Sequence, residues 1–182
     1  MEIADYIVAE DRRLVELVLE GDDRAFEYLF NRYRDAIHRL FVQRLGGVND
    51  ADDLLQETFI KAYDHIDELL SGKIESTKAW LMRIAVNTCK DTLRSSWMRH
   101  IDNRQEIEAL PLSIASCAEE RLALTQAIMA LAPKHREIVL LYYYQDMSLR
   151  ACAQVLGISA PTATRRLQQA QKKLRIQLEE RG

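Results

Sequence analysis

Apolar residues recur along this chain at three- and four-residue intervals, and nowhere do they alternate long enough with polar ones to make a convincing strand. That pattern predicts an all-α protein. Leu14, Leu17 and Val18 mark a short first helix, which stops at the Gly21-Asp22-Asp23 break. A second runs from Arg24 to Leu45, with Phe26, Leu29, Phe30, Tyr33, Ile37, Leu40 and Phe41 on one stripe, and Gly46-Gly47 ends it. Asn49 or Asp50 caps a third, whose Leu55, Thr58, Phe59, Ala62 and Ile66 face inward. The fourth opens near Ser76 or Thr77 and reaches about Trp97, burying Trp80, Leu81, Ile84, Ala85 and Thr88. Periodicity then fails over residues 99–117, where Asp102, Glu106, Glu108 and Pro111 read as a flexible linker. Beyond it, Ser116 with Glu119 forms a capping box and Pro133 opens a further helix. Two small helical domains, 1–98 and 118–182, are the economical division.

The stretch from Ser148 to Leu167 has the punctuation of a helix-turn-helix. Ser148 can cap a first helix, and Gly157 sits where that helix must end in a left-handed conformation that would cost other residues a Cβ clash. Ile158 plugs the turn, Ser159 caps the second helix, and Pro161 is tolerated because its missing N–H falls in the first turn. Leu149, Val155, Leu156, Ala163 and Leu167 are spaced to bury one side, with Ala153 small enough for a close crossing. Outward on the second helix are Thr162, Thr164, Arg165, Arg166, Gln168 and Gln169, followed by Lys172, side chains able to donate to base edges and phosphates in a major groove.

Charge sharpens the picture more than composition does. The net charge is −3 over 182 residues. Residues 1–70 hold eight basic against seventeen acidic side chains, residues 71–117 seven against five, and residues 118–182 ten against six. Such a chain should bind DNA weakly alone, because affinity comes mainly from neutralised phosphates. A partner already holding DNA would supply the rest, and the acidic half suits a basic surface on it. No apolar run approaches a membrane span, and the acidic start lacks a signal peptide's basic region, so the expectation is a cytoplasmic protein with no membrane insertion. Cys89, Cys117 and Cys152 are read as buried free thiols. The histidines, at positions 38, 65, 100 and 135, are too scattered to be metal ligands. No nucleophile–base pair, metal cluster or phosphate loop stands out, so neither an enzyme nor a cofactor is expected.

Two more surfaces carry chemistry. Arg83, Asn87, Lys90 and Arg94 follow one another at four, three and four residues, a cationic face set opposite Trp80 with an amide in its middle. With Lys78 and Trp80 it could hold a single strand through phosphates while polar groups take an unstacked base. The third helix turns Asp53, Gln56, Glu57, Ile60 and Tyr63 outward, an acidic face with two apolar members that suits a protein partner.

Three segments in order, Asp50 to Tyr63, Ala79 to Thr88, and Leu131 to Val139 with the helix-turn-helix, resemble the extracytoplasmic-function (ECF) sigma factors of bacterial RNA polymerase, over roughly Asp23 to Leu178. The resemblance implies an amino-terminal domain that docks on core polymerase, at its clamp, through the helix of Asp53, Gln56, Glu57, Ile60 and Tyr63. It implies that the helix of Arg83 and Asn87 opens the promoter's minus-10 element. The carboxy-terminal domain would read the minus-35 element as duplex near the polymerase flap, and the acidic linker would thread toward the RNA path. An anti-sigma protein is a further partner it implies. The chain departs from many relatives in having Thr77 where an aromatic residue stands, and in Thr164, Gln168, Gln169 and Gln171 where basic or aromatic residues are common. Its upstream sequence preference is therefore its own. The rival reading is a stand-alone helix-turn-helix regulator, which would bind DNA without polymerase.

Overall fold

A computed structural model describes residues 3–45, 51–71, 74, 76–97 and 118–179, giving backbone alone for 93–97 and 118–121. Among these every regular element is helical. The order is α1 (Ile3–Val8), α2 (Asp11–Leu19), α3 (Asp23–Leu45), α4 (Ala51–Asp64), a 3₁₀ turn (Ile66–Leu70), α5 (Thr77–Trp97), α6 (Ala118–Ala130), α7 (Pro133–Val139), a π-helical turn (Leu140–Tyr144), α8 (Leu149–Leu156) and α9 (Ala160–Glu179). Contacts divide the chain into one compact unit of residues 1–41 and 50–100 and a second of 42–49 and 101–182. The proposed caps Asn49, Asp50 and Ser116, the 99–117 linker and Cys117 lie outside the described residues.

In the first unit α4 packs along α5, and α2 packs on the 3₁₀ turn. Leu14, Val15, Leu17, Val18, Ala25, Leu29 and Ile66 form a core around Tyr6. Helix α1 has no counterpart in the sequence pattern. Six residues with no cap signal cannot hold a helix by themselves; tertiary contacts hold this one. Tyr6 is buried, stacks on Tyr28 at 4.9 Å, lies under the Arg24 guanidinium and donates its hydroxyl to Asp22. Arg32 then donates to the carbonyls of Ile7 and Ala9, at 3.3 and 3.0 Å.

In the second unit α9 is the common partner of α6, α7 and α8. The local signals for the helix-turn-helix act as expected. Ser148 Oγ accepts from the Ala151 amide at 3.2 Å, and Gly157 adopts φ +64° with its amide and that of Ile158 turned back onto Gln154 and Ala153. A Cβ on Gly157 would meet nothing within 4 Å, so glycine serves the backbone angle there and not the space. Ser159 Oγ accepts from the Thr162 amide at 3.4 Å, and Pro161 is the second residue of α9. Ala153, Val155, Ala163 and Leu167 are buried, whereas Leu149 and Leu156 are half-buried.

Cys89 and Cys152 are buried, and neither forms a disulfide among the described residues. Burial raises the Cys152 thiol from 9.0 to about 11, and its Sγ donates to the Met147 carbonyl at 3.8 Å. An unfolded chain would release that proton near pH 9 while the folded one keeps it to about pH 11, so stability falls as pH rises through this window. The loss is at most about 3 kcal/mol, at roughly 1.4 kcal/mol per unit. Denaturant unfolding from pH 8 upward should show the decline, and Cys152→Ala should flatten it. Above about pH 10 a residual slope remains in that variant, because burial raises the hydroxyl of Tyr144 to about 12 and, with the bond to Asp11, raises that of Tyr33 as well, so the Cys152 contribution is read between about pH 9 and 10.

Candidate functional site

Three surfaces carry the residues singled out by the sequence, two in the first unit and one in the second. On α4 the inward face is Leu54, Leu55, Thr58, Phe59 and Ala62, which leaves Asp53, Gln56, Glu57, Ile60 and Tyr63 exposed. Ile60 is 56% and Tyr63 44% exposed, so the apolar members of the face do reach the surface. Glu57 pairs with Lys61 at 2.7 Å, and Lys61 Nζ also donates to Thr88 Oγ1 at 3.3 Å, tying α4 to α5. Beside this face α3 and α4 enclose a groove of about 760 Å³ floored by Phe26, Phe30 and Phe59 and edged by three carboxylates, Asp23, Asp52 and Asp64, and one cation, Arg34. The helical stripe of α3 predicts Phe26 and Phe30 in the core. Both are only half-buried, at the flank of that stripe, and their four-residue spacing was the available signal. Tyr63 closes one end, edge-on to Phe26 at 4.9 Å and donating to Asp23 Oδ1 at 3.1 Å, a bond that raises the pKa of its hydroxyl. A rim on which acids outnumber the single arginine, over an aromatic floor, suits a cationic, partly apolar partner.

On α5, Arg83, Asn87 and Lys90 are exposed and Lys78 half-buried, while the side chain of Arg94 lies outside the described residues. Trp80 differs from the expectation. It is 6% exposed and its Nε1 donates to Glu68 Oε2 at 3.1 Å, so the ring is committed to the protein and offers no open face for a base. Nor does it lie opposite the ridge: Asn87 follows it by seven residues, two helical turns, which brings both to the same side. The 3₁₀ turn that carries Glu68 takes the tryptophan, while Asn87 emerges two turns along. Trp80 therefore fixes the start of α5 against the turn before it.

On α9, Arg165, Gln168, Gln169 and Lys172 are exposed, and Thr162, Thr164 and Arg166 half-buried. Thr164 Oγ1 donates to the Ala160 carbonyl at 3.1 Å, and Thr162 Oγ1 lies 2.8 Å from Ser159 Oγ, so both hydroxyls already serve the helix start. Arg165, Arg166 and Lys172 have no ion-pair partner among the described residues, which leaves their cations for an outside anion.

Two family models match this frame: Sigma-70 region 2 over residues 29–99, the part that holds the α4 face and the α5 ridge, and Sigma-70, region 4 over residues 121–174, the part that holds the helix-turn-helix. The ECF RNA polymerase sigma factor SigW of Bacillus subtilis (strain 168) is 30% identical over 181 residues, covering 92% of this chain and 96% of that protein. The chain belongs to the ECF sigma factor family. The RNA polymerase sigma factor NccH of Alcaligenes xylosoxydans xylosoxydans is 31% identical over 175 residues, 90% of this chain and 92% of that one. Among solved structures, CnrH in complex with the cytosolic domain of CnrY has 25% identity and a TM-score of 0.68, covering 94% of this chain and 99% of that one. As an alternative sigma factor, the chain directs RNA polymerase to promoters, and the rival reading as a stand-alone regulator is not favoured. Among the described residues no helix is long and apolar enough to cross a membrane.

Proposed function

We propose that the three surfaces divide the work of a sigma factor. The α4 face of Asp53, Gln56, Glu57, Ile60 and Tyr63, with its aromatic groove, docks on core polymerase. The α5 ridge of Lys78, Arg83, Asn87, Lys90 and Arg94 takes the opened minus-10 strand, with Trp80 positioning the helix and not contacting DNA. Thr162, Thr164, Arg165, Arg166, Gln168, Gln169 and Lys172 on α9 face the minus-35 duplex. Residues 1–98 and 118–182 act as the two domains, with 99–117 as the tether. The observation that carries this reading is the separation of charge: acid with exposed Ile60 and Tyr63 on α4, against base and amide on α5 and α9.

The protein works in the cytoplasm and has no catalytic centre of its own. CnrH was solved with the cytosolic domain of CnrY; for this chain the reading adds an anti-sigma protein that would hold it inactive by covering the α4 docking face.

Because the first seventy residues carry seventeen acidic side chains against eight basic, the free protein is expected to bind promoter duplex poorly and the holoenzyme tightly. Fluorescence anisotropy with and without core polymerase, paired with run-off transcription, measures this. Tight, sequence-specific binding by the free chain would restore the stand-alone regulator.

A further inference from the structure

His135, the third residue of α7, is 3% exposed, and its neighbour across the helix pair is a residue of the DNA-facing side of α9. Its ring Nε2 lies 3.3 Å from Gln169 Oε1, while Nδ1 is buried without a hydrogen-bond partner. These two surroundings fix the tautomer. A buried N–H with no acceptor is costlier and rarer than a carbonyl-type lone pair with no donor, so the proton belongs on Nε2 and is donated to Gln169 Oε1. The opposite assignment would turn the amide round and strand the Nδ1 proton in the interior.

That bond alters what Gln169 can read. A free glutamine recognises adenine with both ends of its amide, accepting from the N6 amino group and donating to N7. Here one lone pair of Oε1 is engaged inward, which turns the oxygen toward His135 and leaves the Nε2 amino group of this exposed residue as the end of the amide available to an outside partner. Gln169 lies four residues after Arg165 and three before Lys172, on the side of α9 that meets the duplex in the reading above. We infer that His135 is a positioning residue that presents Gln169 as a donor, able to meet both guanine acceptors, O6 and N7, whereas adenine offers it only N7 and sets its N6 amino group against the Gln169 amino group. The inference rests on the proposed role of α9. His135 acts through Gln169 and touches no DNA.

The test uses the full chain with core RNA polymerase and a promoter duplex pool randomised across the upstream element, with retained sequences counted. Removing the donor in His135→Leu is expected to raise adenine about tenfold at the base pair that Gln169 faces and to leave the other positions unchanged. His135→Gln, whose amide can donate at the same place, should keep the wild-type preference. Gln169→Ala should erase the preference at that pair, and adding His135→Leu to it should do nothing more, the signature of one coupled pair. Gln169→Glu is exposed, does not threaten the fold, and aims an acceptor at the groove, so it should move the preference toward cytosine's amino group.

Wild-type preference in a folded His135→Leu protein overturns the inference. So does a change spread evenly over all positions, which would mark a purely structural role. A Gln169→Glu pool identical to wild type overturns it even if His135→Leu fails to fold. Uniform weakening by Gln169→Ala with no base effect would place the amide on a phosphate, which also overturns it. If the wild-type protein and core enrich no sequence at all, the assignment of α9 to promoter reading fails, and this inference with it.

Discussion

The double charge reversal Asp53→Lys with Glu57→Lys is expected to weaken binding to core RNA polymerase by about a hundredfold or more, while the protein stays folded. Both carboxylates are exposed on α4, so neither is needed for the core. Within the protein the substitutions break the ion pair of Glu57 with Lys61 at 2.7 Å, between side chains left 47% and 40% exposed. Exposed pairs of this i,i+4 type are worth only a few tenths of a kcal/mol, and like charges in their place cost a similar amount. At a docked interface the same carboxylates would meet desolvated basic partners, where breaking a pair costs about 2–5 kcal/mol. At about 1.4 kcal/mol per tenfold, the middle of that range is a hundredfold or more. Competition against a labelled sigma factor for core enzyme reads the affinity, and far-UV circular dichroism reads the fold. A folded double mutant that competes as well as wild type would remove α4 from the docking surface.

Where local chemistry decides structure, the sequence was enough. Gly157, Ser148 and Ser159 each act through a backbone angle or a hydrogen bond within a few residues, and the helix-turn-helix follows from them. The start of α5 at Thr77 and of α7 at Pro133 were legible for the same reason. Tertiary contact set the rest. Helix α1 exists because Tyr6 finds Tyr28 and Asp22, and the run after Ile138 widens into a π-helical turn over Leu140–Tyr144 that no spacing announces.

The same division runs through the functional surfaces. The outward side of α4 could be read by subtraction once its inward stripe was known. The groove floored by Phe26, Phe30 and Phe59 could not, because it needs two helices side by side. Neighbours in sequence group Trp80 with the DNA-binding residues. Its indole N–H instead found Glu68, twelve residues earlier, a partner outside any helical period. Gln169 has the pattern of any other outward polar side chain, and only the fold brings His135, thirty-four residues away, onto its oxygen.

Asn87→Ala should separate strand opening from upstream reading. Asn87 is exposed on α5 with Arg83 and Lys90 on the same side, two turns beyond a tryptophan already bound to the protein. With the indole unavailable, the amide becomes the group best placed to pair with a base, and a base edge is open to it only after the strands part. Removing it therefore leaves the closed complex untouched and withdraws stabilisation from the open one. Taking one hydrogen-bonded base contact in a partly desolvated site as about 2 kcal/mol, opening on duplex promoters should fall roughly thirtyfold. A template already mismatched across the minus-10 element should recover much of the activity, since the unstacking cost has been removed in advance. Arg166 on α9 is the internal contrast, because a contact to duplex acts before and after opening, and a mismatched template should not rescue Arg166→Ala. Permanganate reactivity of unpaired thymines reports opening, and run-off transcription reports its consequence. If Asn87→Ala opens duplex DNA at the normal rate with an unchanged base preference, the α5 ridge does not capture the strand.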